Sequence, residues 1–208
     1  LGEPLTRPTN PPDIPPELIR IMADENSKHA AGEGWHSDVS SESEPPGLSM
    51  LRMEEVPSSG GDTLFANMYA AYDKLADDMK KRIAGKRALQ IYDFATRETV
   101  DISDDISKYK HEIQPVTITH PVTGRRALYV NPLITARIED MAENESRAML
   151  DELFAFADDP SIAYEHEWRL GDLMMWDNWC SCHARTDFPA SERRMLRRCT
   201  VKGQPLHE

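Results

Sequence analysis

Ala163-Tyr164-Glu165-His166-Glu167-Trp168-Arg169-Leu170-Gly171-Asp172-Leu173-Met174-Met175-Trp176 holds two short strand-like runs on either side of a turn. Tyr164, His166 and Trp168 alternate with glutamates, the period of a strand with one buried face, and Leu170-Gly171-Asp172 has the composition of a reversal. The same signal recurs outward from this stretch. Residues 195–201 read as a strand towards the C-terminus; residues 127–130 and 116–119 do so upstream, separated by Pro121-Val122-Thr123-Gly124. Farther back, residues 48–56 form another run, Pro57-Ser58-Ser59-Gly60-Gly61-Asp62 is a turn, and Thr63-Leu64-Phe65 resumes the extended chain.

Two segments change period. Met68, Tyr72, Leu75, Met79 and Ile83 sit three or four apart, with Asn67 able to cap the start and Gly85 the end, which predicts one amphipathic helix. A second is predicted over residues 144–158, with Met149, Leu153 and Phe156 on one stripe and Pro160 beyond. Residues 96–110 are polar and acidic without periodicity and read as a mobile, lid-like loop. Six prolines between Pro4 and Pro16 forbid regular helix there and predict an extended segment lying on the body. Many short strands with two helices between them predict a mainly β fold with flanking helices, a β-sandwich or jelly roll.

The 208 residues suit one domain, and no apolar run approaches the roughly 20 residues of a membrane-spanning helix. A net charge of −12 argues against nucleic acid as a partner, and an anionic substrate must then be drawn by local positive charge. Cys180, Cys182 and Cys199 are odd in number and no secretory signal precedes them, so a reducing, cytoplasmic setting is expected.

His36-Ser37-Asp38 is the first chemical signal. On an extended chain positions i and i+2 share a face, so the imidazole and the carboxylate can reach one cation while Ser37 points away. That donor pair suits divalent iron, and a third ligand from a distant strand would complete a facial triad with open positions. Alone, a His-x-Asp pair is more often solvated or hydrogen-bonded. His183, after the strand 173–176 and the turn Asp177-Asn178, stands where a sheet folding back would bring it opposite His36. His29, His111, His120, His166 and His207 have polar, turn or packing surroundings and are expected to be structural or superficial. Cys180 and Cys182 beside His183 lack the paired four-ligand spacing of structural zinc and read as small buried residues.

Arg194 and Arg198 have equal parity on the last strand, so both face one side, about 13 Å apart at strand rise. Each is suited to clamp a carboxylate or similar oxyanion by the bidentate geometry of guanidinium; the alternative is surface ion pairing, since Arg193 and Arg197 make the whole stretch basic. Trp35, Trp168 and Trp176 read as core or cavity wall.

Taken in order, the motifs resemble one family over essentially the whole chain, the taurine dioxygenase-like (TauD/TfdA) iron and 2-oxoglutarate-dependent oxygenases. They are Trp35-His36-Ser37-Asp38-Val39, the run from Pro57 to Phe65, His120-Pro121-Val122-Thr123-Gly124 with Leu128-Tyr129-Val130-Asn131, Gly171-Asp172-Leu173, Trp176-Asp177-Asn178, His183, and Arg193-Arg194-Met195-Leu196-Arg197-Arg198. The resemblance implies a double-stranded β-helix. It implies that His36, Asp38 and His183 ligate Fe(II), that Thr63 and Arg194 hold 2-oxoglutarate, and that Arg198 grips the substrate's anionic group. Arg7 falls near the position where sulfonate-oxidising members carry a substrate-binding histidine.

The implied reaction uses 2-oxoglutarate and O2 as cosubstrates. It hydroxylates a small anionic molecule (a sulfonate, aryloxyalkanoate, sulfate ester or carboxylate) and releases succinate and CO2. Against the family pattern, residues 94–112 are short and the N-terminal region is incomplete, so residues 1–208 are expected to form a single catalytic domain lacking part of that region, assembled as a homo-dimer or tetramer. The competing readings are a jelly-roll metal-dependent isomerase or hydrolase, and a non-catalytic binding module.

Overall fold

The computed structural model describes residues 2–6, 11–27, 32–93, 100, 102 and 105–208. Along the described chain the elements are β1 (Leu18–Ala23), β2 (Leu48–Glu55), β3 (Thr63–Asn67), α1 (Met68–Lys74), α2 (Asp77–Ile83), β4 (Arg87–Tyr92), β5 (Lys110–Pro115) and β6 (Thr117–Thr119). They continue with β7 (Arg126–Leu128), β8 (Thr135–Ile138), α3 (Glu143–Phe154), β9 (Ala163–His166), β10 (Leu173–Asp177), β11 (Ser181–Arg185) and β12 (Arg194–Val201). The strand–turn–strand reading of residues 163–176 corresponds to β9 and β10, with Gly171 at φ +87° in the turn between them.

These two strands do not pair with each other. β10 is the edge of a four-stranded antiparallel sheet ordered β1-β12-β2-β10, and β9 is the edge of a second sheet, β11-β3-β9. The inner faces of the two sheets meet: Leu51, Met53, Trp168, Trp176 and Leu196 form one apolar cluster with Phe65 packed on it, and the Phe65 and Trp176 rings lie 5.2 Å apart. The period-two pattern is visible in β2, where Ser49, Leu51 and Met53 are buried and the residues between them are not. The back of β11 and β3, through Cys182 and Ala66, belongs to a larger core shared with the helices and with β4, β6, β7 and β8. Of the N-terminal segment, residues 2–6 lie extended on the body, Pro4 bridging to Val201 and Leu5 N–H donating to Thr200 O at 2.7 Å, whereas residues 12–17 form turns, with Ile14 N–H donating to Pro11 O at 2.9 Å and Leu18 N–H to Pro15 O at 3.0 Å.

Two expectations need correction. Residues 68–83 form two helices, because Leu75 (ψ 137°) and Ala76 (ψ 148°) are extended. Asn67 caps α1 through hydrogen bonds from the Tyr69 and Ala70 amides, and Asp77 and Asp78 open α2 with negative charge at its N-terminal end. The break leaves Leu75, Met79 and Ile83 all in the core, so apolar spacing alone does not register it. The second correction concerns the loop expected over residues 96–110. Residues 94–99, 101, 103 and 104 lie outside the described residues, while Lys110 opens β5, which pairs along all of β4. β5 is an edge strand, polar on most of its length and closed by Pro115, a composition that hides a strand from hydrophobic patterning.

Candidate metal centre and its cleft

His36 and His183 come together as an isolated antiparallel bridge. His36 N–H donates to His183 O at 3.0 Å and His183 N–H to His36 O at 2.8 Å, a doubly bonded pair whose side chains project from the same face. The imidazole centroids are 4.2 Å apart. Two residues on, Asp38 shares that face: its Oδ1 lies 4.0 Å from His36 Nε2 and 3.9 Å from His183 Nε2. One donor atom from each of the three residues falls within 4.8 Å of the others, so a single cation can bridge them. Ser37 points away, as expected, its hydroxyl donating to Ser181 O at 2.9 Å.

The chemistry of these donors fits a divalent metal. His36 Nδ1 is 2.7 Å from Gly34 O, which places its proton there and leaves the Nε2 lone pair facing Asp38. Burial lowers the pKa of His36 and pushes that of His183 down to about 3, so both rings are neutral at neutral pH. Burial alone would raise the Asp38 carboxyl, but the Arg198 guanidinium, the adjoining imidazoles and the Ser49 hydroxyl hold it well below the usual carboxylate range. Two neutral imidazoles and one carboxylate form the set that first-row divalent ions such as iron accept.

Asp38 is held more tightly than any other residue of the group. It is 3% exposed, and Ser49 Oγ donates to its Oδ2 at 2.5 Å, leaving Oδ1 to face the histidines. The fully buried Asn178 grips its backbone from both sides, Oδ1 accepting from Asp38 N–H at 2.7 Å and Nδ2 donating to Asp38 O at 2.8 Å. Val39 follows at φ +55°, in the left-handed region, which turns the chain away immediately after the ligand.

The low His183 pKa has a measurable consequence. Between about pH 6.5 and pH 3 the unfolded chain binds a proton on this imidazole that the folded chain does not, so stability rises with pH across that window. Asp38, also depressed, adds a dependence of the same sign at the acid end. Calorimetric melting of metal-free protein is expected to show Tm falling steadily from pH 7 to pH 4, with a shallower fall in His183→Gln. Equal slopes in the two proteins would contradict the assignment.

The triad opens into a cleft between the two sheets, lined on one side by Leu51, Leu196, Arg194 and Arg198 and on the other by Thr63, His183 and Arg185, with Trp176 beside them. The equal parity of Arg194 and Arg198 is therefore realised: both reach the same cavity, while Arg193 and Arg197 pair with Glu55 and Glu54. Arg198 Nη1 donates to Asp38 Oδ1 at 2.8 Å, and its buried Nε has no hydrogen-bond partner among the described residues.

Arg194 is buried, and its Nε donates to Gly61 O at 2.8 Å. Burial, then the charge of nearby Arg185, lowers its pKa to about 10. The Gly60-Gly61 turn admits it: both residues have positive φ, and a Cβ on Gly61 would stand 3.0 Å from the Arg194 Cδ and Nε. Thr63 Oγ1 accepts from Trp168 Nε1 at 2.9 Å, which leaves its own proton to donate into the cleft.

Arg7 and His29 lie outside the described residues. A second cluster, His120, Asp177 and Cys180, has ligand-like proximity. Its bonds are already made: His120 Nδ1 accepts the amides of Val122 and Thr123, which puts the proton on Nε2, 2.9 Å from Asp177 Oδ2. Burial pushes the Cys180 thiol up to about 12, so it does not offer a thiolate. The structural expectation for His120 stands, and Cys182 is buried as expected, whereas Cys180 is only partly buried. Sequence reading assigned no role to Ser49, Asn178 or Arg185. Only Arg185 left a usable signal, its i+2 spacing from His183.

The sequence pattern of the taurine catabolism dioxygenase TauD, TfdA family matches residues 7–200. The chain is 32% identical over 198 residues to pentalenolactone F synthase of Streptomyces arenae, covering 86% of this chain and 66% of that protein. It is 36% identical over 178 residues to the alpha-ketoglutarate-dependent 2,4-dichlorophenoxyacetate dioxygenase of Burkholderia sp. (strain RASC), covering 84% and 59% respectively. Among solved structures it is similar to AAD-2 in complex with Mn(II) and N-oxalylglycine, with a TM-score of 0.82 and 30% identity over 91% of this chain and 76% of that one. The chain thus spans 66% and 59% of the length of these two curated relatives. No helix among the described residues is long and apolar enough to cross a membrane.

Proposed function

This chain belongs to the TauD/TfdA family of 2-oxoglutarate-dependent dioxygenases, a family built on the double-stranded β-helix, and from that premise we propose how its own residues divide the work. His36, Asp38 and His183 hold iron(II). Thr63 and Arg194 hold the far carboxylate of 2-oxoglutarate, and Arg198 holds the anionic group of the organic substrate, with Arg7 as a further substrate contact. The observation that carries this reading is the convergence of three ligating atoms, from two stretches far apart in the chain, in a cleft that also receives Arg194 and Arg198.

Iron(II), when bound, supplies the capacity to use O2 and 2-oxoglutarate for hydroxylation, with succinate and CO2 released. The protein's contribution is placement. The Gly34 carbonyl selects the His36 tautomer, Ser49 and Asn178 aim the carboxylate, and the arginines position two anions so that the target C–H bond lies at the metal end of the cleft. Leu51, Leu196 and Trp176 keep that end apolar.

Relatives are named for aryloxyalkanoates and a sulfonate, so an aryloxyalkanoate is the first to test, then sulfonates, and after them sulfate esters and simple carboxylates as further small anions. We read the chain as one catalytic domain, since both sheets build the one cleft. Exposed Leu173, Met175 and Tyr164 on the edge strands β10 and β9 support assembly as a homo-dimer or tetramer.

The deciding experiment supplies iron(II), 2-oxoglutarate and each candidate in turn, and measures succinate. At least one class is expected to raise succinate above the substrate-free level, and anaerobic or chelator-treated controls are expected to remove the increase. Substrate conversion that persists without O2 would favour an isomerase or hydrolase. Metal binding without any cosubstrate turnover would favour a binding module.

A further inference from the structure

Arg185 has no part in the division of roles above, yet the strand register places it among them. It pairs directly with Thr63 across β11 and β3, and directly paired residues of an antiparallel sheet share a face. His183, two residues earlier on β11 and paired with Phe65, lies on that same face. The cleft therefore has a row running from the metal end at His183 to Thr63 and Arg185, about 7 Å farther along at strand rise. That is roughly the span of a five-carbon diacid, and Arg194 enters the same end from the opposite sheet.

The charges at this end are unevenly placed. The Arg185 side chain is 5% exposed, held by Glu33 Oε1 at 2.9 Å and Thr186 O at 2.7 Å and stacked on Phe188 at 4.9 Å. Its carboxylate partner Glu33 is 57% exposed, and Asp187 is exposed as well, so the acids sit on the solvent side. Asp62, partly buried, is the acid nearest Arg194. Arg185 has its carboxylate in Glu33, but Arg194, depressed first by burial and then by the charge of Arg185, would gain from an anion placed between the two guanidiniums.

We propose that Arg185 is a third binding residue for the far carboxylate of the 2-oxo acid cosubstrate, completing with Thr63 and Arg194 a subsite that selects a C5 dicarboxylate over 2-oxo acids lacking that group. The proposal rests on the reading of Thr63 and Arg194 given above. Arg185 is pre-oriented for this role by Glu33, Thr186 and Phe188, so binding the carboxylate requires little ordering of its long side chain.

The test is direct binding to Mn(II)-loaded protein by isothermal titration, using 2-oxoglutarate and 2-oxopentanoate, which has the same carbon chain without the far carboxylate. Arg185→Gln is expected to weaken 2-oxoglutarate by roughly 10- to 100-fold, the loss of a charge-assisted hydrogen bond, and to leave 2-oxopentanoate unchanged. Arg185→Lys keeps the charge but not the planar fork, so it perturbs the fold less and is expected to show the same selective loss at smaller size. If both acids weaken equally in the variants, Arg185 acts only through the structure of the cleft and the proposal fails. It fails also if 2-oxoglutarate binds the variants as it binds wild type. A wild-type protein that does not prefer 2-oxoglutarate to 2-oxopentanoate overturns the cosubstrate reading itself, an outcome distinct from the other two.

Discussion

His36→Ala is expected to reduce substrate-dependent succinate formation to background and to weaken divalent-metal binding by more than about 100-fold, since removing even an outer partner of a metal ligand costs on the order of 10- to 100-fold. The substitution removes Nε2 from a group in which each donor lies about 4 Å from Asp38 Oδ1, and no other described histidine is near enough to replace it. The fold is expected to survive, because the bridge between positions 36 and 183 is made by backbone atoms that alanine retains. Mn(II) titration and far-ultraviolet circular dichroism on the same preparation check both halves. Turnover like that of wild type, with the circular dichroism unchanged, would refute the assignment of His36 as a ligand.

Arg198→Ala is expected to raise the KM for the organic substrate by roughly 10- to 100-fold while moving the KM for 2-oxoglutarate far less, the range lost with a hydrogen bond to a charged group. Two roles compete for this guanidinium. It donates to Asp38 Oδ1 at 2.8 Å and holds that carboxyl low, and it carries a buried Nε without a partner among the described residues. If Arg198 serves only to neutralise Asp38, the substitution will damage metal binding and raise both KM values together. If it grips the substrate, the two separate. Steady-state kinetics with each cosubstrate varied at saturation of the other, together with Mn(II) affinity, distinguish them. Arg198→Lys is expected to fall between, since lysine offers charge without the bidentate fork.

The parts of this site that a reader of the sequence can find are those governed by local geometry. His36 and Asp38 share a face because an extended chain repeats every two residues, and the same rule puts Arg194 and Arg198 into one cavity. Gly60-Gly61 and Leu170-Gly171-Asp172 announce turns because positive φ is cheap for glycine. Helix α3 is legible from its stripe, and the final strand from its β-branched and alternating residues.

Other features escaped for physical reasons that differ from case to case. The helix break at Leu75 and Ala76 leaves Met68, Leu75, Met79 and Ile83 in the core and Tyr72 packed against it, so the spacing carries no trace of it. β5 is polar because it is an edge. Asn178 appears in the sequence as one residue of a polar turn, and its grip on the Asp38 peptide exists only once β10 is paired beside β2.

Local chemistry in the chain thus already specified the donor types, the strand parity of the cationic residues and the mainly β class, because each depends on a few consecutive residues. Which strand faces which was set by long-range pairing: β11 against β3 in the register that joins Arg185 to Thr63, and His183 against His36 across the chain. A shift of one residue in that pairing would turn His183 and Arg185 out of the cleft and Cys182 and Ala184 into it. Register is selected by the burial of whole faces, a quantity that no short stretch contains.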